Sequence, residues 1–354
     1  METQIRKILG HYGFRGESCQ VTAHGTGLIN RTWMVRETES GWRYILQRIN
    51  HAVFKSPEAI AGNIREISTY LQAHAPGYLF ESPLRTLKGE EMVQEAGEYF
   101  RLYRYVEGSH TLDVVANPGQ AYEASRQFGM FTAQLAGFDT GKLRITLADF
   151  HNLPLRYAQY REAIKKGNPE RILRSKEILE ALESYSGISD QAQQLGCLPL
   201  RVIHHDTKIS NILFDEQGKG MCVIDLDTIM PGYYISDAGD MMRTYLSPIS
   251  EEEPDNERHA IRMEIFEAIA EGYLGEMGRL MQDEERQRFV YSGSFMIYMQ
   301  ALRFITDYLN NDVYYGSRYE GHNLVRGTNQ LVLLQKYTEK ADQMQKIVRE
   351  YFRR

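Results

Sequence analysis

Cysteine is scarce in this sequence: Cys19, Cys197 and Cys222 are the only three among 354 residues. They are too few and too scattered for a disulfide framework or a thiolate zinc site, so a reducing compartment suits the chain. Long apolar runs are missing as well. No stretch reaches the roughly 18 apolar residues of a membrane-spanning helix, and the opening Met1–Leu9 segment has no apolar run of secretory-signal length. Together these absences lead to the expectation of a cytoplasmic, unanchored protein. Surplus positive charge is also lacking, because 41 Lys and Arg stand against 47 Asp and Glu for a net charge of −6, which argues against a nucleic-acid binder. The sequence has no internal repeat and no low-complexity tract. What remains, 42% hydrophobic and 25% charged residues, is the composition of a folded globular protein of about two domains' length.

The first hundred residues read as short strands between glycine-containing turns. Gln20–Ala23, Arg31–Arg36, Tyr44–Arg48, Glu91–Gln94 and Tyr99–Tyr105 are rich in β-branched and aromatic residues, the pattern of an antiparallel sheet. One helix is expected to interrupt it, starting at Ser56-Pro57-Glu58 and carrying Ile60, Ile64, Ile67 and Leu71 on one stripe. From about Tyr122 the period becomes helical, with Phe128, Phe131 and Leu135 on one stripe and Ile172, Ile178, Leu179 and Leu182 on another. Inside that helical part, Arg201–His204 and Met221–Ile224 are strand-like and flank a polar loop and the turn Glu216–Gly220. The expected architecture is α+β and bilobal: a small β-rich N-terminal lobe over residues 1–105, and a larger, mainly helical C-terminal lobe over 106–354. A ligand site is expected between them.

The chemistry-bearing segment is His204-His205-Asp206-Thr207-Lys208-Ile209-Ser210-Asn211, with Asp225 following in Val223-Ile224-Asp225-Leu226-Asp227. It resembles the His-x-Asp-x-x-x-x-Asn and Asp-Phe-Gly pair of protein kinases and related small-molecule phosphotransferases. In that chemistry the first Asp faces the acceptor hydroxyl and takes its proton, and the Asn and second Asp hold Mg²⁺. Asp206 is then the base, Asn211 and Asp225 are the metal ligands, and Lys208 lies near the transferred phosphoryl group. A turn-forming role is the plain alternative for each half of the motif.

A second signal, His24-Gly25-Thr26-Gly27-Leu28-Ile29-Asn30, is a glycine-rich turn between two strands, where the backbone can approach phosphates closely. Gln47 occupies the position of the strand lysine of protein kinases, and Glu66 that of its acidic helix partner. Arg48 reads as a solvated side chain. The hinge is expected at Tyr105-Val106-Glu107, whose backbone meets adenine. Farther on, Arg303 and Asp307 have the i, i+4 spacing of a surface ion pair, although the aromatics of Arg303–Leu309 and Asp312–Tyr315, with their Arg and Asp, also suit a sugar. Asp240 reads as a helix cap, and Asp237 as a brace for the catalytic loop.

The chain as a whole resembles the aminoglycoside phosphotransferase superfamily, and within it the N-acetylhexosamine 1-kinases. The resemblance rests on Gly25–Asn30, Tyr44–Gln47, His204–Asn211, Asp225–Gly232 and Arg303–Arg326. It implies ATP and Mg²⁺ as cofactors and transfer to the anomeric hydroxyl of an N-acetylated hexosamine such as GlcNAc or GalNAc. Gly25, Thr26, Gly27, Asn30, Gln47, Tyr105 and Glu107 are the implied nucleotide contacts, and Arg303 and Tyr314 the sugar contacts. Two positions in the sugar site depart from the pattern: Leu28 replaces a histidine and Thr244 a phenylalanine, which should alter sugar preference. Two other readings compete. Cys197-Leu198-Pro199-Leu200-Arg201 matches the Cys-x-Pro-x-Arg core of sulfatases and would suit a mucin-desulfating enzyme; Gln47 in place of lysine would suit a catalytically silent nucleotide-binding relative.

Overall fold

The computed structural model describes residues 2–25 and 29–353. The N-terminal lobe is a five-stranded antiparallel sheet in the order β1 (Cys19–Ala23), β2 (Arg31–Glu37), β3 (Arg43–Ile49), β5 (Glu98–Arg104), β4 (Val93–Glu95). Alternation along the strands separates its two faces. Val35, Leu46, Phe100 and Leu102 form one apolar face, all 2% exposed or less. That face is covered by a helix the sequence pattern did not suggest, α1 (Glu2–His11), through Ile5, Ile8 and Leu9. The signal was present in the i, i+3, i+4 spacing of those three residues. Ten residues were too short a window for it to stand out.

Helix α2 (Pro57–His74) follows the sheet's third strand, as its Ser-Pro-Glu start indicated, but its stripe does not pack onto the sheet cluster. Ile60, Ile64, Ile67 and Leu71, with Ile49 and Phe54, belong instead to the large core of the helical lobe. Burying four such side chains contributes roughly 1.5–3 kcal/mol each, so α2 is held to the second lobe although it lies within the sequence of the first. Asn63 adds polar bonds in the same direction, donating to the carbonyls of Arg144 and Ile229.

The helical lobe consists of α3 (Pro118–Gln134), α4 (Leu153–Lys166), the short α5 (Pro169–Arg174), α6 (Lys176–Glu183) and α7 (Gly187–Ala192), then α8 (Ile235–Tyr245), α9 (Met263–Met277), α10 (Asp283–Gln287), α11 (Phe289–Leu309) and α12 (His322–Tyr351). The stripe from Ile172 to Leu182 is divided between α5 and α6, because Ser175 ends the first turn of chain and bonds back to Arg171. The β-rich island is also more elaborate than expected. β6 (Arg201–Ile203) pairs with β9 (Met230–Gly232), and the hairpin is formed by β7 (Ile212–Phe214) and β8 (Gly220–Val223). Helix α8 approaches α11 so closely that a Cβ on Gly239 would collide with the Ser292 carbonyl. This contact fixes the depth of α8, and α8 carries the acids that hold the loop after β6.

Candidate active site

The loop from His204 to Asn211 joins β6 to β7 and is held from below by α8. Asp237, fully buried, accepts the backbone N–H of His204 at 2.9 Å and of His205 at 2.7 Å. Asp240 accepts the Thr207 N–H at 2.9 Å and is itself paired with Arg243 at 3.0 Å. Asp240 lies mid-helix, so the capping role expected for it is replaced by a bracing role shared with Asp237. Burial pushes the Asp237 carboxyl up to about 6, against the pull of His204 and the two N–H bonds. His204 completes the frame: its Nδ1 accepts the Asp206 N–H and its Nε2 bonds the Ile224 carbonyl at 2.8 Å. Such bonds require the Nε2–H tautomer. They also join the loop to the segment that carries Asp225.

The frame leaves the acids of the motif free. Asp206 is part-exposed, and its one side-chain partner among the described residues is Lys208, with Nζ 2.9 Å from Oδ2. Burial lowers the Lys208 pKa, but Asp206, Asp225 and Asp240 outweigh it and hold the ammonium charged. Asn211 donates from Nδ2 to the Asp206 carbonyl, so its Oδ1 has no protein donor among the described residues. Asp225 is in the left-handed region at φ 60°, as is His205 at φ 66°; non-glycine residues there carry strain of about 1–3 kcal/mol. Burial, then Asp227 and Asp206, push the Asp225 carboxyl up to about 7, although the residue as a whole is solvent-exposed. A carboxylate crowded by like charges beside a free amide oxygen is a donor set for a hard cation. Among the described residues no three acidic, imidazole or thiolate groups converge into a complete cage. Mg²⁺ typically takes only one or two carboxylates from protein and the rest from phosphates and water, so these residues fit it.

On the sheet, Gln47, expected to contact phosphate, is bonded to protein. Its partner across β3 and β5 is Arg101, on the face opposite the apolar one. Gln47 Oε1 accepts from Arg101 Nε at 3.0 Å and Nη2 at 2.7 Å, so Gln47 orients a buried cation. Arg101 Nη1 lies 2.5 Å from Asp227 Oδ1, with both side chains 3% exposed or less. Burial pulls its guanidinium pKa down, and Asp227 more than reverses that. The sheet's fixed charge therefore comes from the strand beside β3. The sequence signal for it was an arginine alone between Phe100 and Leu102.

Among the described residues Glu66 has only Arg65 as an ion-pair partner, and Arg48 pairs with Glu98 instead of being free in solvent. Asn30 donates to Asp227 Oδ2 at 2.8 Å and accepts the Asn50 N–H. Gly25 has φ +74° and open space around it, while Thr26, Gly27 and Leu28 lie outside the described residues. At the hinge, the Tyr105 N–H is taken by the Arg43 carbonyl. Glu107 pairs with Arg43, which also stacks over the Tyr105 ring. Both side chains are thus engaged with the β2–β3 hairpin.

The expected sugar contacts form a cluster of an arginine among rings. Arg303 lies 5.7 Å from the Phe150 ring, 5.9 Å from Tyr314 and 5.4 Å from Tyr315. It has no ion pair with Asp307. That acid is buried and accepts the backbone N–H groups of Tyr314 and Tyr315, which shapes the loop after α11. Among the described residues no carboxylate pairs with Arg303; its polar partners are Gln300 at 3.2 Å and the Tyr314 hydroxyl at 3.5 Å. Phe150 stacks on His151 at 4.3 Å, and His151 meets His205 at 5.4 Å. This chain of rings links Arg303 to the loop that carries Asp206. Phe150 and His151 were not foreseen, since they occupy an irregular segment without a motif. Thr244 bonds back to the Asp240 carbonyl on α8.

The sulfatase motif is not assembled. Arg201 is bound to Glu285 by two bonds of 2.8 and 2.7 Å, and Cys197 lies on an exposed turn.

The geometry agrees with what the chain resembles. A model of the phosphotransferase enzyme family matches residues 20–280. Among solved structures, an aminoglycoside phosphotransferase from Alicyclobacillus acidocaldarius superposes with a TM-score of 0.65 at 13% identity, covering 98% of this chain and 96% of that one. A microcompartment-associated aminopropanol kinase gives 0.63 at 17% identity over 96% and 98%. A spectinomycin phosphotransferase, solved with ADP and spectinomycin, gives 0.59 at 15% over 95% and 97%. At these identities the structures share the fold, and the family model adds the descent: the chain belongs to the phosphotransferase enzyme family.

Proposed function

We propose that the protein is an ATP-dependent kinase that phosphorylates the anomeric hydroxyl of a hexose, with an N-acetylhexosamine as the favoured acceptor. The observation that carries the sugar reading is Arg303. A guanidinium without a counter-ion among the described residues, set among the rings of Phe150, Tyr314 and Tyr315, repels a cationic acceptor such as an amino alcohol. It suits a neutral polyol, whose hydroxyls take the N–H fork and whose apolar face lies on the rings. The choline, ethanolamine, aminopropanol and aminoglycoside acceptors named for the related structures are cationic, and among the described residues no carboxylate pairs with Arg303 to offset its repulsion of such a cation.

In this reading Asp206 orients the acceptor hydroxyl and takes its proton on the oxygen not held by Lys208. Lys208 keeps that carboxylate turned toward the cleft and presents its ammonium to the transferred phosphoryl group. Asn211 and Asp225 hold Mg²⁺, which when bound neutralises the phosphate charge. Gly25 and the turn up to Asn30 cover the nucleotide, and the hinge at Tyr105–Glu107 meets its base. Positioning and electrostatics supply the rate, and no covalent enzyme intermediate is required.

The test is ADP release from MgATP with a panel of free hexoses, N-acetylhexosamines and amino alcohols, followed by phosphorus NMR of the product. Sugar-dependent ADP release with phosphate on the anomeric carbon is expected, lost in Asp206→Asn and kept in Cys197→Ala. Turnover confined to amino alcohols would refute the sugar reading.

A further inference from the structure

A row of alternating charges joins the Asp206 loop to the rings around Arg303. Asp240, which accepts the Thr207 N–H, is paired with Arg243 at 3.0 Å. The remaining nitrogen of that guanidinium, Nη1, is 2.8 Å from Glu251 Oε2. Glu251 Oε1 accepts from Arg326 Nη2, and the Arg326 guanidinium lies 3.8 Å over the Phe304 ring and 5.3 Å from the Tyr315 ring. Tyr315 therefore has two cations beside it, since Arg303 meets it at 5.4 Å. Its hydroxyl takes a bond from Gln300 Nε2 at 3.3 Å, and Gln300 Oε1 accepts from Arg303 at 3.2 Å. Glu251, the centre of the row, belongs to the irregular segment between α8 and α9. Helix α12 pins that segment on both sides of it: Asn329 Nδ2 donates to the carbonyls of Ser250 and Glu253 at 3.1 Å each, and His322 Nε2 lies 2.6 Å from Glu252. Burial pushes the Glu251 carboxyl up, and Arg243 and Arg326 more than reverse the shift, so the acid is ionised at neutral pH.

We propose that Glu251 is a positioning residue for the acceptor: it sets the cluster of Arg303 and Tyr315 against the Asp206 loop by holding Arg243 to Asp240 and Arg326 to the Tyr315 ring. The inference rests on the reading of Arg303 and its rings as acceptor contacts. Its physical content lies in charge as well as in distance. Ring faces attract guanidinium groups, but two guanidiniums at one ring repel each other. Glu251 neutralises and anchors one of them, so that the ring keeps its place and Arg303 is the cation left to meet an acceptor. Without that anchor the ring cluster shifts relative to a loop that Asp237 still holds. Arg326 also has a longer contact with Glu252, at 3.4 Å. Loss of Glu251 therefore does not leave it unpaired, and the expected effect is a displaced site and not a collapsed fold.

Initial-rate kinetics test this, with N-acetylglucosamine and MgATP varied in turn, or with the best acceptor of the panel above where that is another compound. Glu251→Gln keeps the size of the side chain and removes its charge. The acceptor KM is expected to rise about fivefold while the KM for MgATP stays within about twofold of wild type. Arg326→Gln should give the same pattern, and the double variant should be no worse than the worse single one, because both act through one contact. Arg258→Gln, which breaks the Arg258–Glu253 pair of the same segment, should leave both KM values unchanged. Arg326→Gln decides the matter if Glu251→Gln fails to fold. A merely structural role would lower the melting temperature without separating the two KM values. An unchanged acceptor KM in Arg326→Gln and Glu251→Gln, or an equal rise in Arg258→Gln, overturns the positioning role, and it leaves the acceptor site standing if Arg303→Met still raises that KM. If Arg303→Met is silent as well, or if the wild type turns over no member of the panel, both fall.

Discussion

Between His204 and Thr207 the backbone is held at three N–H groups by Asp237 and Asp240, and the carbonyl of Thr207 by Tyr245. The loop that contributes Tyr314 leaves that ring 71% exposed and Val313 beside it 82% exposed. The Asp206 loop is fixed by the fold itself, whereas the Tyr314 loop, the acceptor wall of the proposed function, is held at its root by Asp307 and open at its tip. A phosphotransferase needs the first kind of order for every acceptor, since the base must stand within hydrogen-bond reach of a hydroxyl. The second kind of order depends on which acceptor is chosen, and here loop residues can change without disturbing the frame.

The largest effects should come from the fixed side. Asp206→Asn keeps the loop and removes the proton acceptor, so kcat should fall about 10²- to 10⁴-fold with an unaltered melting curve, as single-turnover kinetics and calorimetry would show. Asp237→Ala should do the reverse. It leaves two buried N–H groups without an acceptor at about 1–3 kcal/mol each, so urea unfolding should lose roughly 2–6 kcal/mol before any rate is measured. If Asp237→Ala proved as stable as wild type, the contrast between a fixed loop and an open wall would collapse.

The two sides also differ in how much of them could be read in the sequence. His204, Asp206, Asn211 and Asp225 are close in the chain, and the β7–β8 hairpin only has to fold them together. The sheet was legible for a similar reason: β-branched and aromatic runs between glycine turns mark antiparallel strands wherever they occur. Arg101 was not legible, because its role depends on being opposite Gln47 across two strands, a matter of register that local pattern does not express. Phe150, with His151 stacked on it, reaches Arg303 from 153 residues away in sequence, on a segment without periodicity. Asp307 was misread for the opposite reason, since helical spacing from Arg303 was correct and the loop after α11 nevertheless captured the carboxylate. Short-range chemistry was visible, and long-range pairing was not.

A smaller effect should sharpen the acceptor side. Arg303→Met removes the unpaired charge and keeps the stem among the rings. The KM for a neutral sugar should rise about tenfold, the loss of one charged hydrogen-bonding group at roughly 1.5 kcal/mol, with kcat changed much less. Arg303→Glu should reverse the preference by admitting an amino alcohol. Initial-rate kinetics on both acceptor classes would decide it, and equal use of amino alcohols by the wild type would remove the argument for a sugar.

The smallest effect lies in pH, and it separates the two sides once more. The Asp225 carboxyl, raised to about 7, must be ionised to hold a cation, so protonation competes with Mg²⁺ as pH falls through that value. The sign follows from the raised pKa: metal binding is strongest above about 7 and weakens below it. The Mg²⁺ concentration for half-maximal ADP binding should therefore increase several-fold from pH 8 to pH 6, approaching tenfold per unit only well below 7. Acceptor affinity should not follow, since in this reading it rests on Arg303 and its rings and not on Asp225. Calorimetric titrations of Mg²⁺ at saturating ADP, repeated at pH 6, 7 and 8, would reveal the difference. A flat Mg²⁺ requirement would mean that Asp225 is ionised throughout, and that Arg101 and Lys208 offset the crowding by Asp206 and Asp227 in full.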